Sequence, residues 1–369
     1  MALIERIELQ LVNLEPPVVR TDAIQSFERQ ETPIVRITDA DGAVGTGYSY
    51  TIGTGGPSVM ALLEHTLAPF LIGREADAIE AQWRACLFRT HATAVGAITS
   101  LALAAIDTAL WDLRCRKANM PLWKMAGGAK PGVALYSTEG GWLHLDTHEL
   151  VEDAIAVQDK GFRGAKLKIG RPRPADDRER LLAVREAVGD SFDLMVDANQ
   201  CFSLPGAARR APALAEADIA WFEEPLPADD VEAHRRLSEQ CAVPIAVGES
   251  LYSLGQFKEY LQAGACSIVQ ADVARIGGIT PWLKVAHLAE AYSVPICPHF
   301  LMELHVSLCC AVNNAPWLEY IPQLDAITAG ELRVENGYAH APSSVGLGID
   351  WDWAAIAAHT VAAPIIVDA

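Results

Sequence analysis

No two of the eight cysteines, spread from Cys86 to Cys310, stand in a Cys-x-x-Cys spacing. That absence argues against a thiolate metal site or redox pair and reads as reduced core residues of a cytoplasmic protein. Basic side chains are also few: 29 Lys and Arg face 47 Asp and Glu, a formal charge of −18. So acidic a chain excludes nucleic acid or an anionic membrane as its main partner. A small anion remains possible, because a local cluster of lysine and metal can override the global field. The early charges Glu5, Arg6 and Glu8 do not fit a signal peptide. One stretch, Ala94–Leu113, is about long enough to span a bilayer, but Asp107 and Asp112 interrupt it, so a buried helix is expected. Gly53-Thr54-Gly55-Gly56 lacks both the Lys-Ser/Thr ending and the buried strand of a phosphate cradle, and reads as a flexible loop or lid.

What is present falls into two rhythms. Residues 1–12 alternate like a half-buried strand, and residues 14–31 read as a loop with two prolines. Thr32–Thr38 and Val44–Tyr50 form strands about the turn signal Asp39-Ala40-Asp41-Gly42. From Val59 to about Lys124 apolar residues recur at spacings of three and four, the helical pattern. Residues 1–128 are therefore expected to form an α+β unit, ending at Gly127-Gly128-Ala129-Lys130-Pro131-Gly132.

Beyond it, eight β-rich runs recur: Val133–Gly141, Gly164–Gly170, Asp193–Gln200, Ile219–Leu226, Val243–Ser250, Ser267–Val273, Val294–His299 and Pro316–Ile321. Helical patterns lie between most of them, at Glu149–Lys160, Asp177–Val188, Val231–Ser238, Leu254–Ala263 and Pro281–Ala291. Alternating β and α at this period means parallel strands with crossover helices, and eight of them suggest a closed barrel over residues 129–322. Residues 323–369, with Trp351 and Trp353, are expected to pack back on something apolar.

In such barrels the chemistry sits at the C-terminal ends of the strands. From the second run to the eighth these ends carry Lys166 and Lys168, Asp197 and Asn199, Glu223, Glu249, Asp272, His299, and Glu319. Seven successive ends of this kind point to one shared site. A strand's period of two puts Lys166 and Lys168 on one face, where mutual repulsion would make one a usable base near neutral pH. Asp197, Glu223 and Glu249 offer only oxygen, which favours Mg²⁺ over zinc. Asn199, on the face of Asp197, could position a lysine. Asp272 could fix the tautomer of His299 and raise its basicity. Glu319 reads as a protonated donor to a substrate oxygen or as a loop carboxylate. A base on each side of a metal suits removal of a proton α to a carboxylate, through an enediolate.

Lys166-Leu167-Lys168, Val196-Asp197-Ala198-Asn199, Phe222-Glu223-Glu224-Pro225, Gly248-Glu249-Ser250, Asp272 and His299 stand in the order and spacing of the enolase superfamily, mandelate racemase subgroup, which the chain resembles over nearly its whole length. Ala105-Ile106-Asp107-Thr108-Ala109-Leu110-Trp111-Asp112 resembles that family's capping domain. The resemblance implies a (β/α)₇β-barrel with an α+β cap completed by the C-terminal segment. It implies Mg²⁺ on Asp197, Glu223 and Glu249, Lys168 as base on one face, and His299 held by Asp272 on the other. Lys166 and Glu319 would then bind the substrate carboxylate.

The resemblance also implies that two cap loops, residues 16–31 and roughly 47–57, set specificity; Arg20, Tyr48 and Tyr50 are the candidate substrate contacts there. Their polarity favours a polyhydroxylated acid, and Arg20 could meet a distal carboxylate. The motifs around Ile279–Lys284 and His299–His305 are similar to the galactarate/talarate dehydratase branch. Dehydration of an acid sugar leads, with racemisation, epimerisation or lactone cycloisomerisation as the alternative. A Schiff-base aldolase and a non-catalytic metal-binding barrel are the readings from other classes. An even-numbered homo-oligomer is expected from the family.

Overall fold

The computed structural model describes residues 2–369. In β1 (Ile4–Leu14) the side chains of Ile4, Ile7, Leu9 and Val12 are fully buried. The expected loop after it holds a small antiparallel hairpin, β2 (Arg20–Thr21) and β3 (Ser26–Phe27), whose tip is an Asx turn on Asp22. β4 (Gln30–Asp39) then pairs with β1 and β5 (Val44–Tyr48), both antiparallel. The glycine-rich stretch ends in a helix, Gly56–Leu62, so only its first residues are loop. The expected helical run is broken into several pieces, the longest being Ala97–Lys117.

Glycine lets that helix lie directly on the sheet. A Cβ at Gly47 would stand 2.2 Å from the Ala109 nitrogen, and one at Gly45 2.2 Å from the Ala109 carbonyl oxygen. The two carboxylates that interrupt the apolar run are fastenings. Asp112 accepts from the Thr46 N–H (2.8 Å) and the Leu347 N–H (2.9 Å). Asp107 accepts from the N–H and hydroxyl of Thr280, tying the cap to a barrel helix, and burial pushes its pKa up to about 7. Among the described residues no helix is long and apolar enough to cross a membrane.

The second rhythm is the expected barrel. Strands β6 (Gly132–Ser137), β7 (Gly164–Lys168), β8 (Asp193–Asp197), β9 (Ile219–Glu223), β10 (Ile245–Val247) and β11 (Ile268–Val269) pair in parallel in sequence order, and β12 (Trp317–Tyr320) returns to β6. Helices Thr147–Asp159, Pro174–Val188, Leu204–Glu216, Val231–Ser238, Leu254–Ala263 and Ile279–Ala291 connect them. Tyr136, Met195, Trp221, Ala246, Ile268 and Cys297 fill the interior as a separate cluster, with Trp317 packed against it.

One strand departs from expectation. Val294–His299 forms no strand, only a bridge between Ile296 and Val269. Pro295 and Pro298 bracket it, and neither can donate to a ladder. Seven cysteines are buried as expected, but Cys201 is exposed.

The C-terminal residues serve both units. After β13 (Val334–Glu335), β14 (Tyr338–His340) pairs with β6 of the barrel, and β15 (Ile365–Asp368) pairs with β1 of the cap. Trp351 meets Tyr48 edge-on at 5.5 Å, and Trp353 lies under Arg36 at 4.4 Å.

Candidate active site

The strand ends converge at the barrel mouth. Lys166 Nζ lies 2.8 Å from both Glu223 Oε1 and Glu319 Oε1. Lys168 Nζ donates to Asp197 and, at 3.0 Å, to Asn199 Oδ1. Both lysines are buried, so a carboxylate at each ammonium counts for more than in water. Burial opposes their charge, yet the carboxylates win: Glu223 and Glu319 hold Lys166 well above the usual lysine range, and Asp197 raises Lys168. Among these groups lysine–carboxylate attraction exceeds the lysine–lysine repulsion that the spacing predicts, which still acts to lower Lys168.

Asp197, Glu223 and Glu249 each present an oxygen within 4.8 Å of the others. Burial, reinforced by Asp197, Glu319 and Glu249 against the pull of Lys166, pushes Glu223 up to about 7. Glu249 Oε2 is buried without a hydrogen bond within the carboxylate cluster and faces His299 Nε2 at 3.3 Å. Excess negative charge and an unsatisfied buried oxygen are what a divalent cation would relieve, so this donor set fits Mg²⁺. Gln270 and Trp221 hold the far oxygen of Glu223 at 2.7 and 3.2 Å.

Across the cavity His299 Nδ1 lies 2.9 Å from Asp272 Oδ2, as expected. Burial works against the imidazolium, but Glu249 and Asp272 together raise the His299 pKa. Asp272 is held down to about 2 despite burial by its bond to His299 and by nearby positive charge. Glu319 accepts from Lys166, from the Phe300 N–H at 2.7 Å and from the Thr138 hydroxyl at 2.5 Å. These donors outweigh burial and hold its pKa well below the usual carboxylate range.

The cap residues are placed differently from expectation. Arg20 lines the cavity; its guanidinium is paired with Glu139 and donates to the Pro322 carbonyl at 3.0 Å, while its Nε is buried without a partner. Tyr48 is buried against Trp351 away from the cavity, with no partner for its hydroxyl. Tyr50 is equally buried and gives its hydroxyl to Asp272 Oδ2 at 2.6 Å. Asp22, Ile24 and Gln25 of the hairpin tip line the cavity with Asn199.

Other lining residues escaped the sequence reading. Thr138 and Trp142 follow β6, the one strand end credited with nothing. Arg275 lies three residues past Asp272 and donates to both the carbonyl and Oε1 of Glu249 at 3.1 Å. Gln270, which does not line the cavity but holds Glu223, stands just past β11, a position that could have drawn attention to it.

Residues 6–127 match the N-terminal domain of the mandelate racemase / muconate lactonizing enzyme family, and residues 149–355 match the enolase C-terminal domain-like family. The chain belongs to this family. The chain is 37% identical over 354 residues to a 3,6-anhydro-α-L-galactonate cycloisomerase of Streptomyces coelicolor, covering 95% of this chain and 98% of that one. It is 33% identical over 347 residues to an L-talarate/galactarate dehydratase of Salmonella typhimurium, covering 93% and 87%. A structure of that dehydratase with Mg and L-lyxarohydroxamate superposes with a TM-score of 0.95 at 32% identity, covering 100% of this chain and 95% of the other. An L-talarate dehydratase of Polaromonas sp. JS666 with Mg and L-glucarate also gives 0.95, at 33% identity and full coverage of both chains.

Proposed function

We propose that this protein is a Mg²⁺-dependent acid-sugar dehydratase that removes the proton α to a carboxylate and eliminates water to give a 2-keto-3-deoxy acid. The observation that carries this is two proton-handling groups, Lys168 and the His299 that Asp272 holds, lining one cavity with Glu249, one of three clustered carboxylates. Asp197, Glu223 and Glu249 would hold the ion. When bound, Mg²⁺ supplies positive charge that offsets these carboxylates and the developing enediolate. Lys168, as the amine, takes the α-proton. Lys166 faces the substrate carboxylate, and Glu319 holds Lys166 in place. Imidazolium at His299 gives its proton to the departing β-hydroxyl, and the resulting enol becomes the keto acid. Trp142 and Phe300 help exclude water from the cavity they line.

Cycloisomerisation of an anhydro sugar acid is the second reading, favoured by the relative from Streptomyces coelicolor. It begins with the same proton removal. A screen of mono- and diacid sugars with Mg²⁺, read as 2-keto acid by semicarbazone absorbance, tests the dehydratase reading, and a response confined to an anhydro sugar acid marks the cycloisomerase. Dehydration gives keto acid that disappears in Glu249→Gln. A blank plate, with α-deuterium uptake in D₂O but no elimination, overturns the dehydratase reading.

A further inference from the structure

We infer that Tyr50 of the cap is a positioning residue for the histidine side of the site, forming with Asp272 and His299 a chain of hydrogen bonds that crosses from cap to barrel. This rests on the reading of His299 as an acid/base group.

The Tyr50 hydroxyl and His299 Nδ1 meet the same oxygen, Asp272 Oδ2, at 2.6 and 2.9 Å. The other oxygen, Oδ1, accepts from the N–H groups of Ala274 and Arg275 at 2.8 and 3.0 Å. The carboxylate is thus held by two main-chain donors from the barrel and one phenol from the cap, and its remaining bond orients the imidazole. The rings reinforce this. Phe300 stacks on His299 at 5.2 Å, with 11° between the planes, and approaches Tyr50 at 4.6 Å. Tyr50 stands two residues beyond β5, whose glycines seat the cap on its long helix.

With no strand ladder under it, the imidazole depends on these contacts for its direction. The hydrogen-bond partners of Lys168, Asp197 and Asn199, are both barrel residues, and Asp22 of the hairpin tip acts on it only as a nearby charge. The phenol therefore acts on one side of the cavity only. With the cap seated on the barrel, the hydroxyl completes the shell of Asp272.

The test is Tyr50→Phe, which keeps the ring and removes one oxygen, so the fold should survive; the thermal midpoint checks that. The first readout needs no substrate. In the Mg²⁺-loaded enzyme, the downfield Nδ1–H resonance of His299 should be sharp in the parent and broadened by solvent exchange in Tyr50→Phe. An unchanged resonance overturns the inference. The second readout uses galactarate and L-talarate, epimers at an α-carbon, which present that hydrogen to opposite sides of the cavity. Deuterium uptake from the His299 side should fall about tenfold, while uptake from the Lys168 side stays within about twofold. An equal fall on both sides, or none, overturns the positioning role. If the parent enzyme exchanges neither sugar while the resonance responds as expected, the function assigned above fails for these sugars and the Tyr50 contact stands.

Discussion

On the lysine side of the cavity, β7 and β8 pair at five successive positions, from Gly164 with Asp193 to Lys168 with Asp197. The backbone ladder places Lys168 opposite Asp197 without help from elsewhere. On the histidine side β11 is two residues long, and the segment bearing His299 has a single bridge. Side chains replace the ladder there. His305 takes the Val273 N–H at 3.2 Å and gives its Nδ1–H to the Phe300 carbonyl at 2.7 Å, bracing the residues next to Asp272 and His299. Glu319 holds the Phe300 N–H, and Tyr50 holds Asp272. One group is thus placed by strand register and the other by a set of individual contacts. The second arrangement has more single points of failure.

The largest expected effect separates the sides outright. Lys168→Ala should slow α-proton exchange on its own side roughly a thousandfold, while exchange from the His299 side persists. Deuterium wash-in followed by mass spectrometry measures both, and an equal loss on both sides would erase the contrast.

Gly47→Ala comes next, because its methyl group would meet the backbone of the helix Ala97–Lys117. A cost of about 2–3 kcal/mol in urea unfolding is expected. Lifting this strand also withdraws Tyr50, so the surviving folded enzyme should lose more activity on the histidine side. His305→Ala should cost about tenfold on that side, with His305→Gln, which can still donate and accept, recovering much of it. If alanine and glutamine behave alike, the brace is not what orients the pair.

The smallest effect concerns pH. Asp107 ties the cap to the barrel helix and stands at about 7 in the fold, against 3.8 when free. The folded state therefore binds more protons than the unfolded state between those values, and this group's contribution to stability declines as pH rises through that window. Unfolding free energies of the parent and Asp107→Asn, compared at about pH 5 and about pH 8, should show the variant with the flatter response. A steeper response in the variant would reverse the assignment.

The same contrast explains what was legible in the sequence. The barrel, the strand-end groups and the dyad of Asp272 and His299 could be read because period two and the alternation of strand and helix put them in register. The missing seventh strand was written in Pro295 and Pro298, but the apolar run around them reads as β all the same. The partners of Arg20 and Tyr48 were not legible for another reason. Polarity in a cap loop says that a side chain has a partner, not which one, and Glu139 lies far from Arg20 in sequence. Tyr50 was picked out for the right neighbourhood and the wrong contact. For the lysine pair the spacing showed the mutual repulsion but not the carboxylates that adjacent strands bring to it.

The pairing of β15 with β1 has a consequence for how the protein is made. Strand β1 receives one of its two neighbours only when residues 365–368 have been synthesised. Until then one edge of a strongly apolar strand stays open to pairing with other chains. Shortening the chain by its final few residues would make that temporary exposure permanent, so loss of a short tail far from the cavity should appear first as aggregation during expression.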